Sequence, residues 1–317
     1  MPCPWTVIDA LLSPADAGLV SDALRLLGRF RLYSEEGRSD GLAAGLPERY
    51  DLARAVLGAD GGEFAWQRAT RLNVFRETVA SADQAVHPCW AWFRDHPALR
   101  AAAGSPHLLE PVSVYANAMV PGMELAAHDD VPAFRGLDRR TVPQWLLVVM
   151  RRSGLFARWH IPTVHVISWW SATPGGAFLL GADQELASVW NHGVAGDFEA
   201  IPHGVARVGG AVEPPRLVRG GELHTSGAGW AALSPTGQTL AWYPADDVRL
   251  SLSWRARVFV DEQDRRRLAE HTDDLDLEPA LSALTGELKA RGVLPARAPR
   301  PRARVFAKLL VDTWPTP

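Results

Sequence analysis

The stretch 123–135, M-E-L-A-A-H-D-D-V-P-A-F-R, decides how the rest of the chain is read. His128 and Asp130 stand two apart, and on an extended strand residues i and i+2 project from one face. An imidazole and a carboxylate therefore point at one spot. Such a pair supplies two corners of the set of two histidines and one carboxylate that holds non-haem Fe(II) and leaves positions open for co-substrates. The third corner has to come from elsewhere in the chain. A His-x-Asp arises often by chance, so the order of the downstream motifs carries the weight.

Downstream of the pair, a histidine on a later strand is needed. His203, in F-E-A-I-P-H-G-V-A-R-V, opens a strand-like run with Val205 and Val208 and is the choice. His192, in W-N-H-G-V, is the nearest competitor, and His224 and His165 are weaker ones. Further on, V-R-L-S-L-S-W-R-A-R-V-F alternates Arg249, Ser251, Ser253, Arg255 and Arg257 with Val248, Leu250, Leu252 and Trp254. Every polar residue of that strand lies on one face. Arginines cannot face an apolar interior without partners, so this face either lines a polar pocket or meets water. A planar guanidinium suits a carboxylate, which it grips through two parallel hydrogen bonds.

In this order, His128-Asp129-Asp130, a histidine in H-G-V-A-R-V and Arg249-Leu250-Ser251 resemble the H-x-D, distal H and R-x-S signature of the Fe(II)/2-oxoglutarate-dependent oxygenases. The likeness covers residues 115–259, with a longer interval between His203 and Arg249 than is common in the family. That interval reads as an inserted hairpin near 221–245, turning at Pro235 to Gly237. The resemblance implies an α+β fold around a double-stranded β-helix, a distorted jelly roll. It implies His128, Asp130 and His203 as Fe(II) ligands. Arg249 and Ser251 would bind the far carboxylate of 2-oxoglutarate, with Tyr115 and Asn117 bonding to the same co-substrate. Dioxygen would hydroxylate an unactivated C–H bond, with succinate and carbon dioxide as co-products. Asp130 favours hydroxylation, because halogenating relatives lack that carboxylate, with desaturation or ring formation as variants. Arg255 is a rival anchor, on the same strand face.

For the substrate, Arg135 stands where a guanidinium could hold a carboxylate, with an ion pair to Asp138 as the alternative. Trp145 and Trp170 are candidate pocket walls, with core packing as the alternative for both. A small organic acid, an amino acid or a natural-product intermediate fits these residues. Two other classes stay open: a zinc hydrolase using the same three ligands, and a jelly-roll binding module without catalysis. Neither calls for the Arg249 and Ser251 pair.

Composition sets the remaining bounds. With 317 residues, 47% hydrophobic and 22% charged, the chain is an ordinary globular one. Its net charge of -3 speaks against a nucleic-acid partner, whose binding rests on clustered Lys and Arg. Cys3 and Cys89 are too few and too far apart for a disulfide framework. No apolar run reaches membrane-spanning length, and a cytoplasmic location is the expectation.

Three segments are expected within one structural domain. Residues 1–105 read as a mostly helical layer, with helices over 13–30, 47–57 and 87–103 and an ambiguous stretch at 64–80. Residues 106–260 hold the short strands of the jelly roll, at 112–119, 123–127, 144–150, 162–171, 177–180, 190–194, 196–201, 240–243 and 249–260. Residues 261–317 return to helices, over 262–271 and 279–291. A Pro/Arg arm at 295–304 reads as an extended, solvated linker, with a homodimer contact as the alternative.

Overall fold

A computed structural model describes residues 5–33, 53, 57, 74–81, 88–105, 107–210 and 220–315. Fourteen strands fall into two sheets among these residues. In chain order they are β1 (Trp5–Ile8), β2 (Arg29–Tyr33), β3 (Val74–Ser81), β4 (Leu108–Met119), β5 (Leu125–His128), β6 (Thr163–Trp169) and β7 (Phe178–Leu180). β8 (Gln184–Leu186), β9 (His192–Gly196), β10 (His203–Val205), β11 (Glu222–Ser226), β12 (Gly229–Leu233), β13 (Thr239–Pro244) and β14 (Arg249–Phe259) complete the set.

The large sheet has the order β1-β9-β6-β14-β4-β3-β2-β11-β12-β13, and the small one β5-β10-β7-β8. Along the chain, β4, β6, β9 and β14 lie in the large sheet, while β5, β7, β8 and β10 lie in the small one. This alternation between sheets, with antiparallel neighbours at each registered pair, is the winding of a jelly roll. The expected fold class, α+β with a double-stranded β-helix and flanking helices, is the one observed.

Contacts divide the chain into two compact units. The first comprises 1–34, 70–127 and 163–258. Its core is built by the inward residues of the strands, among them Phe75, Val114, Val166, Trp169, Leu252 and Trp254. The second comprises 35–69, 128–162 and 259–317. Its described residues carry helices whose core is built by Trp145, Leu146, Leu147, Leu281, Leu284, Phe306 and Leu310.

Helix boundaries follow local chemistry. In α1 (Pro14–Leu26), the Ser13 side chain accepts from the Asp16 amide and Pro14 opens the first turn, as the sequence indicates. The expected helix over 87–103 is two, α2 (Pro88–Asp95) and α3 (Pro97–Ala102), because Pro97 cannot continue a helix and His96 caps the new one. Residues 144–150 are not a strand. They form α4 (Gln144–Ser153), whose residues from Gln144 to Met150 are all buried. A short run that is apolar on every side carries no period, so helix and strand look alike in it. α5 (Glu262–Ala269) and α6 (Leu277–Ala290) match expectation, and the arm leads into a further helix, α7 (Ala303–Thr313).

Among the described residues of the first hundred, β1, β2 and β3 join the large sheet, where a helical layer was expected. Phe30 and Leu32 alternate with exposed Arg31, a period of two that a short run conceals. Residues 197–201 turn instead of forming a strand: Asp197 accepts through its side chain from Glu199 N and through its carbonyl from the Ala200 and Ile201 amides. The hairpin near 221–245 is present as β11, β12 and β13, turning where Gln238 O accepts from Ser234 N. The expected helix over 47–57, apart from Ala53 and Leu57, and residues 64–73 of the ambiguous stretch lie outside the described residues. Among the described residues, no helix is long and apolar enough to cross a membrane.

Candidate metal centre and anion seat

Strand β5 ends at His128, and its neighbour in the small sheet, β10, begins at His203. Their close approach depends on Gly204. A Cβ there would lie 2.6 Å from Leu125 O and 3.1 Å from Ala127 N. Only a residue without a side chain lets the two backbones pass this closely. His128, Asp130 and His203 each place one ligand atom within 4.8 Å of the others. Three donors thus converge, and the sequence choice of His203 over His192 matches this cluster.

His203 is buried, and its Nδ1 lies 3.2 Å from Ile201 O. A carbonyl only accepts, so Nδ1 carries the proton and Nε2 keeps its lone pair for a metal. The rings of Phe198 and Phe178 stand 4.8 and 5.7 Å from the imidazole centroid to centroid. These apolar faces keep water away from its flank. Asp129, between the two ligands in sequence, takes no part in the cluster. Its carboxylate is buried and paired with Arg152 of α4, whose Nε donates to Oδ2 at 3.0 Å. Two neighbouring carboxylates therefore have separate duties, one compensated by arginine and one turned to the histidines.

Arg249, the first residue of β14, is buried. Its Nε donates to Gly176 O at 2.8 Å and to Ser188 Oγ at 3.0 Å, and Nη1 reaches Ser251 Oγ at 3.4 Å. Nη2 is buried without a hydrogen-bond partner among the described residues. No carboxylate pairs with this guanidinium among them either, and burial pulls its pKa down to about 10. A buried cation lacking a counterion is costly, and the donor set left open is shaped for an anion. The same strand entry links it to the third ligand, because Gly176 holds Arg249 while Phe178, two residues on, packs against His203.

The other candidate residues have different surroundings. Asn117 accepts from Arg76 Nε at 2.8 Å and donates to Ser253 Oγ at 3.2 Å, and the Arg76 guanidinium lies 5.3 Å from the Tyr115 ring centroid. Arg255 is no rival anchor: it is paired with the fully buried carboxylate of Glu199, which also accepts from Thr163. Arg135 is likewise committed, to both oxygens of Asp273, to Asp264 and to Arg158 O. Asp138, the alternative partner, pairs instead with Arg140. Trp145 is wholly buried in the helical core. Trp170 lines a cleft of about 370 Å³ with Ser21, Trp190, Trp230, Asp246 and Leu250. Of the competing histidines, His192 meets Trp190 O, His224 pairs with Glu222 and His165 meets Thr163.

Sequence reasoning missed Gly176, Ser188, Phe178, Phe198 and Arg152. Only the Pro174-Gly175-Gly176 turn signalled a special backbone, and Gly175 and Gly176 do adopt positive φ of 70° and 64°.

No family model matches the chain, and no curated protein matches it in sequence. Among solved structures, it is similar to an oxidoreductase of the 2OG-Fe(II) oxygenase family from Burkholderia pseudomallei, at 11% identity and TM-score 0.41, over 80% of this chain and 85% of that one. A Pseudomonas putida prolyl-4-hydroxylase gives 13% identity and TM-score 0.39 over 81% and 94%. SnoN, a non-heme alpha ketoglutarate dependent epimerase from nogalamycin biosynthesis, gives 10% and 0.41 over 80% and 78%. With identities and scores this low, the functional assignment rests on the side chains themselves.

Proposed function

We propose that this protein is an Fe(II)/2-oxoglutarate-dependent oxygenase that hydroxylates an unactivated C–H bond of a small organic molecule. The observation that carries this reading is the pairing of a two-histidine, one-carboxylate cluster with a buried arginine that has no counterion among the described residues. A zinc hydrolase would use the cluster and leave Arg249 without purpose. A binding module would need neither.

Bound there, Fe(II) with 2-oxoglutarate would activate dioxygen, the co-substrate leaving as succinate and carbon dioxide. The chain's own residues supply everything else. His128, Asp130 and His203 would hold the metal, with the Ile201 carbonyl fixing the third imidazole in the ligating tautomer. Arg249 would bind the far carboxylate of 2-oxoglutarate, with Ser251 beside its Nη1. Phe178 and Phe198 shield the imidazole from water. For the substrate, an amino acid or natural-product intermediate fits better than nucleic acid, given the net charge of -3. With Arg135 and Arg255 both committed to carboxylates of the protein, an acidic group on that substrate is no longer required.

Anaerobic titration tests the reading. Adding Fe(II) and then 2-oxoglutarate should produce a weak visible metal-to-ligand absorption. His203→Ala should abolish it, and His192→Ala should preserve it. Iron uptake without that absorption on adding 2-oxoglutarate would leave the hydrolase standing, and no metal uptake would leave the binding module.

A further inference from the structure

We propose that Ser188 and the Gly176 carbonyl are positioning groups that make the site selective for a 2-oxo diacid, by locking the Arg249 guanidinium with its Nη edge turned to the ligand. This rests on the reading of Arg249 as the carboxylate anchor and goes one step beyond it.

A guanidinium offers five N–H donors in a rigid fork. Which edge meets a carboxylate depends on what engages the others. Here the single Nε–H is shared between Gly176 O at 2.8 Å and Ser188 Oγ at 3.0 Å. Ser188 in turn donates its own hydroxyl proton to Gly176 O at 2.8 Å. These three groups close a triangle around Nε. The edge that remains carries Nη1, with one long contact to Ser251, and Nη2, which has no partner among the described residues. Rotation about the last bonds of the side chain would break both Nε contacts, so one orientation is selected.

Gly176 also shapes the seat by what it lacks. A Cβ at that position would lie 2.7 Å from Arg249 Cδ and 3.3 Å from Nε. The arginine stem occupies the place of the missing side chain. With its stem held by the turn and its Nε held by the turn and Ser188, the fork sits at a fixed depth. A fixed depth fixes the chain length of the dicarboxylate it can reach. Ser188, itself half-buried, lies in the largely exposed loop between β8 and β9, outside both sheets. It can therefore be changed without removing core.

Binding to the iron-loaded protein is measured under anaerobic conditions for two ligands, 2-oxoglutarate and 2-oxopentanoate. The second keeps the metal-chelating end and lacks the far carboxylate. Wild type should prefer 2-oxoglutarate. In Ser188→Ala, affinity for 2-oxoglutarate should fall about tenfold, the scale of one hydrogen bond to a charged group, while affinity for 2-oxopentanoate stays constant. Ser188→Thr, which keeps the hydroxyl, should restore the preference. Gly176→Ala should shrink it as well, by displacing the stem. A general structural role would move both ligands together, and that result overturns the proposal. If Arg249→Met erases the preference while Ser188→Ala and Gly176→Ala leave it intact, the positioning role falls and the anchor stands. If Arg249→Met itself leaves the preference intact, the anchor reading has failed and takes this inference with it.

Discussion

Replacing Gly204 by alanine puts the geometry of the metal centre under direct test. The new methyl would sit 2.6 Å from Leu125 O, while ordinary contact begins at 3.4 Å. The strands β5 and β10 must then separate by about 0.8 Å, because backbone atoms cannot rotate away as side chains do. His128 ends one of those strands and His203 begins the other. Metal ligands tolerate displacements of only about 0.2 Å, so a shift of this size should weaken Fe(II) binding on the order of 10–100-fold. The assay is anaerobic competition against a chromogenic chelator, with thermal unfolding followed in parallel. Gly193→Ala is the control, since its methyl would lie 2.6 Å from Ile167 O between β9 and β6 in the large sheet. Both variants should lose about 1–3 kcal/mol of stability from overpacking, yet only Gly204→Ala should lose iron. Equal losses of iron in the two, or wild-type affinity in folded Gly204→Ala, would refute the reasoning.

Arg249→Met should raise the melting temperature of the metal-free protein while 2-oxoglutarate binding disappears. The arginine's pKa lies near 10 when folded, below its ordinary 12.5, because burial disfavours the charge. Its cost, on the order of 3 kcal/mol by linkage, is fully present below pH 10 and relieved only as pH rises through that value. Calorimetry at neutral pH checks the gain. Arg135→Ala should destabilise the protein by about 2 kcal/mol, a buried charge partner discounted for the partial exposure of Asp273. The Arg135 hydrogen bond holds the Asp273 carboxyl below the usual range, so this stabilisation is present above about pH 4 and lost as pH falls further. Chemical denaturation of both proteins across that window should show their stabilities converging on acidification. Arg152→Met should cost about 3 kcal/mol by leaving the buried Asp129 carboxylate without its cation, a loss that the double variant with Asp129→Asn should largely reverse in the same denaturation assay.

The residues that carried the fold in the sequence were those whose environment is uniform along an element. The Arg249 strand alternates polar and apolar residues from 249 to 257 because Leu250, Leu252, Trp254 and Ala256 pack in the core on one face. Ser13 and Pro14 announce α1 because capping is a contact between near neighbours. The third member of the cluster was legible for a related reason, since His203 follows a proline and opens a β-type run. What stayed hidden was set by distant partners. Nothing near Ser188 in the sequence points to an arginine sixty-one residues away. Arg135 looked available because its partners, Asp273 and Asp264, come from the far end of the chain. The apolar block at 144–150 offered no period to read, since it is buried on every side.

Charge explains why the protein tolerates Arg249 as it stands. Other deeply placed ionic groups are matched by their opposites: Asp129 has Arg152, Glu199 has Arg255, and Arg135 has Asp273. The cluster at His128, Asp130 and His203 gathers three donor atoms suited to a cation, and Arg249 has no carboxylate partner among the described residues. Fe(II) and a doubly charged 2-oxo diacid would balance them, the two positive charges of the metal and one of Arg249 meeting one negative charge of Asp130 and two of the acid. Taken without the acid, the metal leaves an excess of positive charge that burial penalises. Without the metal, the acid brings more negative charge than Arg249 alone can offset. Each should therefore tighten the binding of the other, and by reciprocity to the same factor. A measured independence of the two affinities would mean that the arginine and the cluster serve different ligands.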